Sequence, residues 1–200
     1  MDVTGRVFDL LGQGADDAVA LAAPGRTDMT FMALRQHCAR IRRQLAARDI
    51  GPGDRVAIVL PNGPEMASAF FAVASGLSAA PLNPAYKESE YAFYLEDLKP
   101  KLVIVAQDSD NPVRAAAASL NIPVAEALVG PEDPAGAFTL WAEEADDTAP
   151  GPTDEALVLH TSGTTSRPKV VPLTQANLFA SASNIASTLA LTPTDHCLNI

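Results

Sequence analysis

A run of hydroxyl-bearing residues followed by two basic side chains is the part of this sequence best suited to chemistry. Five of the six residues from 161 to 166 are serine or threonine, and the sixth is Gly163. Glycine lets the backbone approach a ligand closely, and hydroxyl and amide groups together suit the oxygens of a phosphate. Arg167 and Lys169 then supply the first positive charges after residue 114, with Pro168 restricting the backbone between them. The pattern predicts a phosphate-binding loop whose binding residues are Thr161, Ser162, Gly163, Thr164, Thr165, Ser166 and Lys169.

Two other interpretations of this loop stay open on the residues alone. Its composition is also typical of a polar surface hairpin, because Ser, Thr and Gly are common loop residues. A Walker-type loop of a kinase or GTPase is disfavoured, because no glycine precedes Lys169 and Val170 stands where Ser or Thr would bind magnesium. The element that follows the loop also looks like a strand, whereas a Walker loop leads into a helix.

The elements around the loop alternate between strands and helices. Short apolar runs predict strands, and helical spacing of apolar residues predicts helices between them. The predicted strands are 55–60, 79–82, 101–105, 156–160 and 170–173, and the predicted helices begin at Thr30 and Pro64 or span 89–98 and 112–120. Strands joined by helical crossovers form parallel sheets that are covered on both faces. The sequence therefore predicts an α/β fold with a doubly wound parallel sheet.

Three of the helices carry an apolar stripe that should be buried. Thr30 can cap the first of them and Thr174 can cap the last, which should end near Pro193. The predicted buried faces are Leu34, Cys38, Ile41 and Leu45; Met66, Phe70, Val73 and Leu77; and Leu178, Ala182, Ile185 and Leu189.

Acidic charge is concentrated in one stretch of the chain. The net charge is -10, and the range 115–166 contains no Lys or Arg. Without a basic stripe, we expect neither nucleic acid nor an anionic membrane surface as a partner. Residues 130–155 are rich in Pro, Gly and acids. They predict an acidic connecting segment on the surface, with solvated charges and at most one short helix around Trp141.

Few other residues suggest chemistry. His160 ends a predicted strand beside the loop, where it could touch a substrate or serve only the structure. His37 and His196 each neighbour a cysteine but lack metal-ligand spacing, so we predict no metal site. Cys38 and Cys197 are expected to be small buried or half-buried side chains rather than a disulfide.

The sequence predicts a protein of the cell interior. It has no run near the ~20 apolar residues of a membrane span, and its N-terminus lacks the pattern of a signal peptide. We expect a cytoplasmic location, or a peroxisomal one if a targeting signal follows residue 200.

Residues 161–169 resemble the phosphate-binding signature of the acyl-adenylate-forming superfamily, the AMP-dependent synthetases and ligases. This superfamily includes acyl-CoA synthetases, luciferases and the adenylation domains of peptide synthetases. The runs 53–62 and 76–84 resemble the first nucleotide-fold half of the same family, so the resemblance covers essentially the whole chain.

One branch of the family is particularly similar. The run 166–169, with His160 before the loop and 171–175 after it, is similar to oxalate:CoA ligases. The commonest family pattern has glycine where Ser166 and Val170 stand. If residue 166 needs a positive φ, a non-glycine residue there costs about 1 kcal/mol, although its hydroxyl can add a phosphate contact.

The resemblance implies an ATP-dependent acid:CoA ligase with ATP, Mg²⁺ and CoA as co-substrates and a small carboxylic acid as partner. A carboxylate would attack the α-phosphate, pyrophosphate would leave, and the CoA thiol would attack the acyl-adenylate. Lys169 would neutralise charge on the departing pyrophosphate.

The resemblance also implies that residues 1–200 are the N-terminal part of an AMP-binding domain. In the family, the adenine contacts, the magnesium-binding glutamate and the catalytic lysine come later, so we identify no catalytic residue here and expect this stretch alone to be inactive. Two alternatives are a truncated nucleotide-binding or interaction protein without activity, and another adenylate-forming enzyme such as a fatty acyl-CoA synthetase.

Overall fold

The structure is a computed structural model that describes residues 5–161 and 168–198. Its elements alternate between strands and helices along most of the chain. In chain order they are α1 (Val7–Leu11), β1 (Val19–Leu21), β2 (Met29–Thr30), α2 (Phe31–Ala46), β3 (Arg55–Val59), α3 (Pro64–Ala74), β4 (Ser78–Pro81), α4 (Glu88–Leu98), β5 (Leu102–Ala106), α5 (Val113–Ser119), β6 (Val124–Ala127), β7 (Glu155–Thr161), β8 (Lys169–Thr174) and α6 (Gln175–Thr188).

Six strands form the main sheet, in the order β6-β5-β3-β4-β7-β8. Neighbouring strands are parallel from β6 to β7, and only β8 runs antiparallel to its neighbour β7. Strands β1 and β2 form a separate antiparallel pair. The carboxyl ends of β3, β4, β5, β6 and β7 therefore lie along one edge of the sheet.

Helices cover both faces of the sheet. Val56 and Ile58 face a core shared with α2 and α3, whereas Ala57 and Val59 face a second core shared with α4 and α5. Because successive strand residues point to opposite faces, the sheet lies between two helical layers. The second core consists of Ala57, Val59, Ala80, Leu82, Tyr91, Leu95, Leu98, Val103, Val105, Val113, Ala116, Ala117 and Val158. The prediction of a doubly wound α/β fold is confirmed.

Helix α2 shows how closely the local pattern controls structure. The Thr30 hydroxyl accepts a hydrogen bond from Ala33 N at 3.2 Å, which satisfies one of the free amides of the first turn. All four residues of the predicted stripe are buried. In the predicted stripe of α3, Val73 and Leu77 are buried as expected, whereas Met66 and Phe70 are only partly buried. Ala69 and Ala72 complete the buried face of the helix.

Helix α6 begins as predicted but is not buried along its length. Thr174 and Asn177 cap it reciprocally, with the Thr174 hydroxyl 3.2 Å from Asn177 N. Leu178 packs against the first core, but Ile185 is 53% exposed and Leu189 is 64% exposed. The predicted buried face is therefore wrong for the second half of α6, where Ile185 and Leu189 remain exposed in the described part of the chain.

The acidic segment 130–155 departs from the prediction of a surface connection. Phe138 is 1% exposed, and its ring meets His37 of α2 edge to face at 4.7 Å between centroids. Gln44 of α2 holds the segment through two hydrogen bonds. Its side-chain oxygen accepts from Leu140 N at 3.1 Å, and its backbone carbonyl accepts from the Trp141 indole at 2.8 Å. The surface prediction is wrong for residues 135–140, and no helix forms around Trp141.

Several acids of this segment are paired rather than simply solvated. Asp147, Glu144 and Glu143 lie 2.6, 2.7 and 3.4 Å from arginines of α2 or the turn after it. These arginines are Arg42, Arg43 and Arg48. The pairs of Arg43 and Arg48 are exposed and contribute only about 0–1 kcal/mol each, whereas the pair of Arg42 with Asp147 is mostly buried. Their positions show that the acidic segment follows the outer side of α2.

The amino ends of three strands are joined by one ion pair. Arg55 of β3 contacts both carboxylate oxygens of Glu155 of β7, at 2.7 and 2.9 Å, and Ser78 of β4 donates to the same carboxylate. Burial raises the pKa of Glu155, but the hydrogen bonds from Arg55 and Ser78 outweigh it and hold that pKa below its ordinary value. This contact joins β7 to β3 and β4, at the edge of the sheet opposite the candidate loop.

None of the helices in the described ranges has the length and apolar character that crossing a membrane would need.

Candidate functional site

The predicted phosphate-binding loop leaves the sheet between β7 and β8. The two strands are antiparallel neighbours, so the prediction that the loop lies between two strands is confirmed. Thr161 and Lys169 form the last pair of the ladder, and both are exposed. The predicted residues Ser162, Gly163, Thr164, Thr165 and Ser166, with Arg167, lie outside the described residues. The structure therefore positions the two ends of the predicted site.

The mouth of this hairpin lies at the carboxyl edge of the parallel strands. β7 pairs in parallel with β4 through Ala79 and Leu157, so Thr161 follows the sheet at the same edge as the loop after Pro81. In open α/β sheets, ligands bind outside the carboxyl ends of the strands. The location is thus the one where a sheet of this type holds a ligand.

His160 does not point at the mouth of the hairpin but packs against α4. Its Nε2 lies 2.9 Å from Oδ2 of Asp97, and its ring centroid lies 4.7 Å from that of Tyr94 at an interplanar angle of 65°. Only 8% of the His160 side chain is exposed. Of the two roles left open for His160, these contacts favour the structural one.

Two tyrosines extend this contact along the carboxyl edge. Tyr86, in the loop after β4, stacks on Tyr94 with centroids 5.0 Å apart and rings 17° from parallel. A hydrogen bond with Tyr94 is the main cause that raises the pKa of Tyr86 to about 12, and burial is the second cause. The phenol is therefore protonated at neutral pH and can donate a hydrogen bond, but it is not a base.

Val170 replaces the glycine of the commonest family pattern and has a packing role. It is half-buried and lies against the second core, which Tyr94 also contacts. His160 and Val170 are direct partners in the antiparallel ladder. Side chains of such partners lie on the same face of a sheet, so both strands of the hairpin are held from the α4 side.

The remaining candidates are spread over the molecule. Cys38 is fully buried, and burial raises the pKa of its thiol to about 12, so it is an inert core residue as predicted. Cys197 is exposed, which makes the prediction of burial wrong for this residue. His196 is exposed as well. In the part of the chain that the structure describes, no group of three His, Cys, Asp or Glu side chains could hold a metal ion.

His37 is a buried histidine kept neutral by its surroundings. Burial is the main cause that lowers its pKa to about 4, and the charge of Arg40 adds to the effect. The Nη2 of Arg40 lies 3.4 Å from Nδ1, and Nε2 of His37 has no partner among the described residues. A proton added to this ring would be buried close to a positive charge.

We expect His37 to make the stability of the protein depend on pH. In the unfolded chain a histidine titrates near pH 6.5, while in the folded state His37 stays neutral down to about pH 4. As the pH falls from about 6.5 to about 4, the unfolded state binds a proton that the folded state does not, so the free energy of unfolding decreases by up to about 1.4 kcal/mol per pH unit.

Urea unfolding of the wild type and of His37→Leu at several pH values measures this contribution. The wild type should lose more stability than the variant between pH 6.5 and 4, whereas His196→Leu, at an exposed site, should follow the wild type. Equal pH dependence of wild type and His37→Leu would contradict this role of burial.

The sequence did not indicate the residues that hold the hairpin to α4. Asp97 and Tyr94 are three positions apart on one helix, which places them on one face, but only the fold shows that this face meets His160. The local sequence signal for this contact is a charged and an aromatic residue three positions apart on one helix.

Comparison with known proteins gives a consistent assignment. The family profile described as "AMP-binding enzyme" matches residues 10–200. Oxalate--CoA ligase of Arabidopsis thaliana is 38% identical over 188 residues, which is 90% of this chain and 36% of that protein. Long-chain-fatty-acid--CoA ligase FadD13 of Mycobacterium tuberculosis is 32% identical over 180 residues, which is 83% of this chain and 33% of that protein. The chain thus spans about a third of the length of these relatives.

Solved structures share the fold. The crystal structure of apo MatB from Rhodopseudomonas palustris superposes with a TM-score of 0.74 at 27% identity, over 96% of this chain and 39% of that one.

Proposed function

Because the chain belongs to the family of AMP-binding enzymes, we propose that it is the N-terminal part of an ATP-dependent, adenylate-forming carboxylic acid:CoA ligase. The observation that carries the proposal is the pairing of Thr161 with Lys169 at the carboxyl edge of the sheet. These residues bracket the hydroxyl-rich run, so a hydroxyl and an ammonium group stand on opposite sides of one opening.

The proposed reaction has two steps. A carboxylate attacks the α-phosphate of Mg-ATP and pyrophosphate leaves, and the thiol of CoA then attacks the acyl-adenylate and releases AMP. The loop acts in the first step. Thr161, Ser162, Gly163, Thr164, Thr165 and Ser166 bind phosphate oxygens through hydroxyl and amide groups. Lys169 stabilises the negative charge that develops on pyrophosphate, which is an electrostatic role without proton transfer.

We propose oxalate as the acid to test first. The support is the similarity of residues 166–169, His160 and 171–175 to oxalate:CoA ligases, together with a relative of that name at 38% identity. A fatty acid is the second candidate, because a relative named as a long-chain-fatty-acid--CoA ligase is 32% identical.

A panel of acids offered to the full-length protein with Mg-ATP and CoA tests both the reaction and the substrate. We expect pyrophosphate and AMP to appear only when an acid is present, with oxalate giving a higher kcat/KM than acetate or myristate. Acetate is the matched control, because it keeps one carboxylate of oxalate and replaces the other by a methyl group. ADP in place of pyrophosphate would mean phosphoryl transfer and would contradict adenylation, and faster turnover of myristate would select the fatty-acid alternative.

A further inference from the structure

We propose that His160 is a positioning residue that fixes the mouth of the β7–β8 hairpin to α4 and thereby sets the positions of Thr161 and Lys169. The inference rests on the proposed phosphate-binding function of the loop between them. In this proposal His160 contacts neither phosphate nor acid and acts through the backbone next to it.

Two contacts of different kind hold the His160 ring. The hydrogen bond from Nε2 to the Asp97 carboxylate is 2.9 Å long, and the edge-to-face contact with Tyr94 has a centroid distance of 4.7 Å. The hydrogen bond restrains the ring at Nε2, and the aromatic contact restrains it against Tyr94. With 8% of the side chain exposed, water has little access to compete for either. The ring therefore has one preferred orientation against α4.

The strand opposite is held at the matching position. Val170 is the ladder partner of His160 and packs against the second core on the same side of the sheet. His160 precedes Thr161, and Val170 follows Lys169, so the restraint acts one pair before the opening. Thr161 and Lys169 are exposed, while the pair behind them is secured. This arrangement frees the two end residues for a ligand and fixes the distance between their strands.

Such a restraint matters because the proposed chemistry is positional. Phosphoryl and adenylyl transfer depend on charge placed at the correct distance, and a displacement near 1 Å can cost about 10²-fold in rate. A loose hairpin would misplace Lys169 relative to the leaving pyrophosphate but would leave the attack of CoA on the acyl-adenylate intact. The effect should thus be confined to adenylate formation.

The test compares His160→Phe and His160→Gln in the full-length protein. Phenylalanine keeps a ring against Tyr94 but loses the hydrogen bond to Asp97, whereas glutamine can place an amide nitrogen near the position of Nε2. We expect His160→Phe to slow adenylate formation by about 10- to 100-fold and to leave thioester formation from supplied acyl-adenylate unchanged. His160→Gln should recover most of the lost rate.

Leu159→Ala is the matched control, because Leu159 is the adjacent residue of the same strand, points to the other face and is 38% exposed. It should retain the wild-type rates of both half-reactions. Thermal unfolding of each variant separates a local effect from general loss of structure, since a globally destabilised protein loses both half-reactions together.

Three results would overturn the inference. They are an unchanged adenylation rate in His160→Phe, equal losses in the two half-reactions, and no recovery in His160→Gln. Lys169→Ala, measured in the same assays, distinguishes failure of the positioning role of His160 from failure of the proposed function of the loop. If Lys169→Ala impairs adenylation and His160→Phe does not, only the positioning role fails. If neither variant impairs it, the proposed function of the loop fails as well.

Discussion

Replacing Lys169 by alanine is expected to slow adenylate formation by about 10²- to 10³-fold, the loss typical when a preorganised charge-stabilising group is removed from an active site. Lys169 begins β8, is exposed, and faces Thr161 across the opening of the hairpin. Because Lys169 is exposed, its ammonium group is accessible to a ligand at the mouth of the hairpin, where we propose that it stabilises the departing pyrophosphate. Alanine removes the charge and leaves the ladder pairing through the backbone in place.

Pyrophosphate exchange measures the first half-reaction of Lys169→Ala, and thioester formation from supplied acyl-adenylate measures the second. Lys101→Ala is the control, because Lys101 pairs with Asp54 at the opposite edge of the sheet, at 2.9 Å, and should leave both rates close to wild type. Equal losses of the two half-reactions in Lys169→Ala would remove the proposed role in pyrophosphate departure. Lys169→Arg, which keeps the charge but changes its geometry, should fall between the wild type and the alanine variant.

Replacing Phe138 by alanine is expected to lower the free energy of unfolding by about 3–5 kcal/mol, the usual cost of deleting a buried aromatic ring. Phe138 is 1% exposed and packs edge to face on His37. Its carbonyl also accepts a hydrogen bond from Arg40 at 2.7 Å, so the residue attaches the acidic segment to α2 through both side chain and backbone. Alanine would leave a cavity beside a histidine that depends on a dry environment.

Urea unfolding of Phe138→Ala gives this loss directly. Leu128→Ala is the control in the same region, because Leu128 bridges to Thr139 through the backbone while its side chain is 40% exposed. A surface change of this kind should alter stability by less than about 0.5 kcal/mol. A loss below about 1 kcal/mol in Phe138→Ala would mean that residues 135–140 contribute little to the core.

Much of the sheet could be predicted because its signals are local. The apolar run of β3 between a turn and Pro61, and the Thr30 cap of α2, each lie within a few residues of the element they specify. β6 was missed because it is short and half of it is alanine, which has little preference for strands. Helix α1 and the strands β1 and β2 were also missed, because each is too short to show a clear pattern.

The errors concern contacts between distant parts of the chain. Phe138 lies in a stretch rich in Pro, Gly and acids, and its burial depends on residues about a hundred positions earlier, among them His37 and Arg40. For α6 the spacing of Ile185 and Leu189 predicts an apolar face, but spacing cannot show whether that face is covered, and both residues are exposed. Spacing describes one element, whereas burial depends on two.

In the candidate site too, local features could be predicted from the sequence, whereas contacts between distant elements could not. The loop and its place between two strands follow from residues 156–173 alone, and the pairing of Thr161 with Lys169 needs only the antiparallel direction of β8. The connection of His160 to Asp97 spans two elements that are far apart in sequence. Residue types near the loop therefore indicated what could bind, and the fold was needed to find what holds the binding residues in place.

The order of strands in the sheet also bears on how the protein is made. β6 ends at Ala127, whereas β7, the neighbour of β4, begins only at Glu155. Chains are synthesised from the N-terminus at about 5–20 residues per second, so the four strands β3 to β6 and their helices can assemble before β7 leaves the ribosome. The hairpin would then add to a finished sheet edge, with α4 already presenting Asp97 and Tyr94 to His160. Within the six-stranded sheet, the hairpin that carries Thr161 and Lys169 would in this way be the last part to form, and it would form against a helix that is already folded.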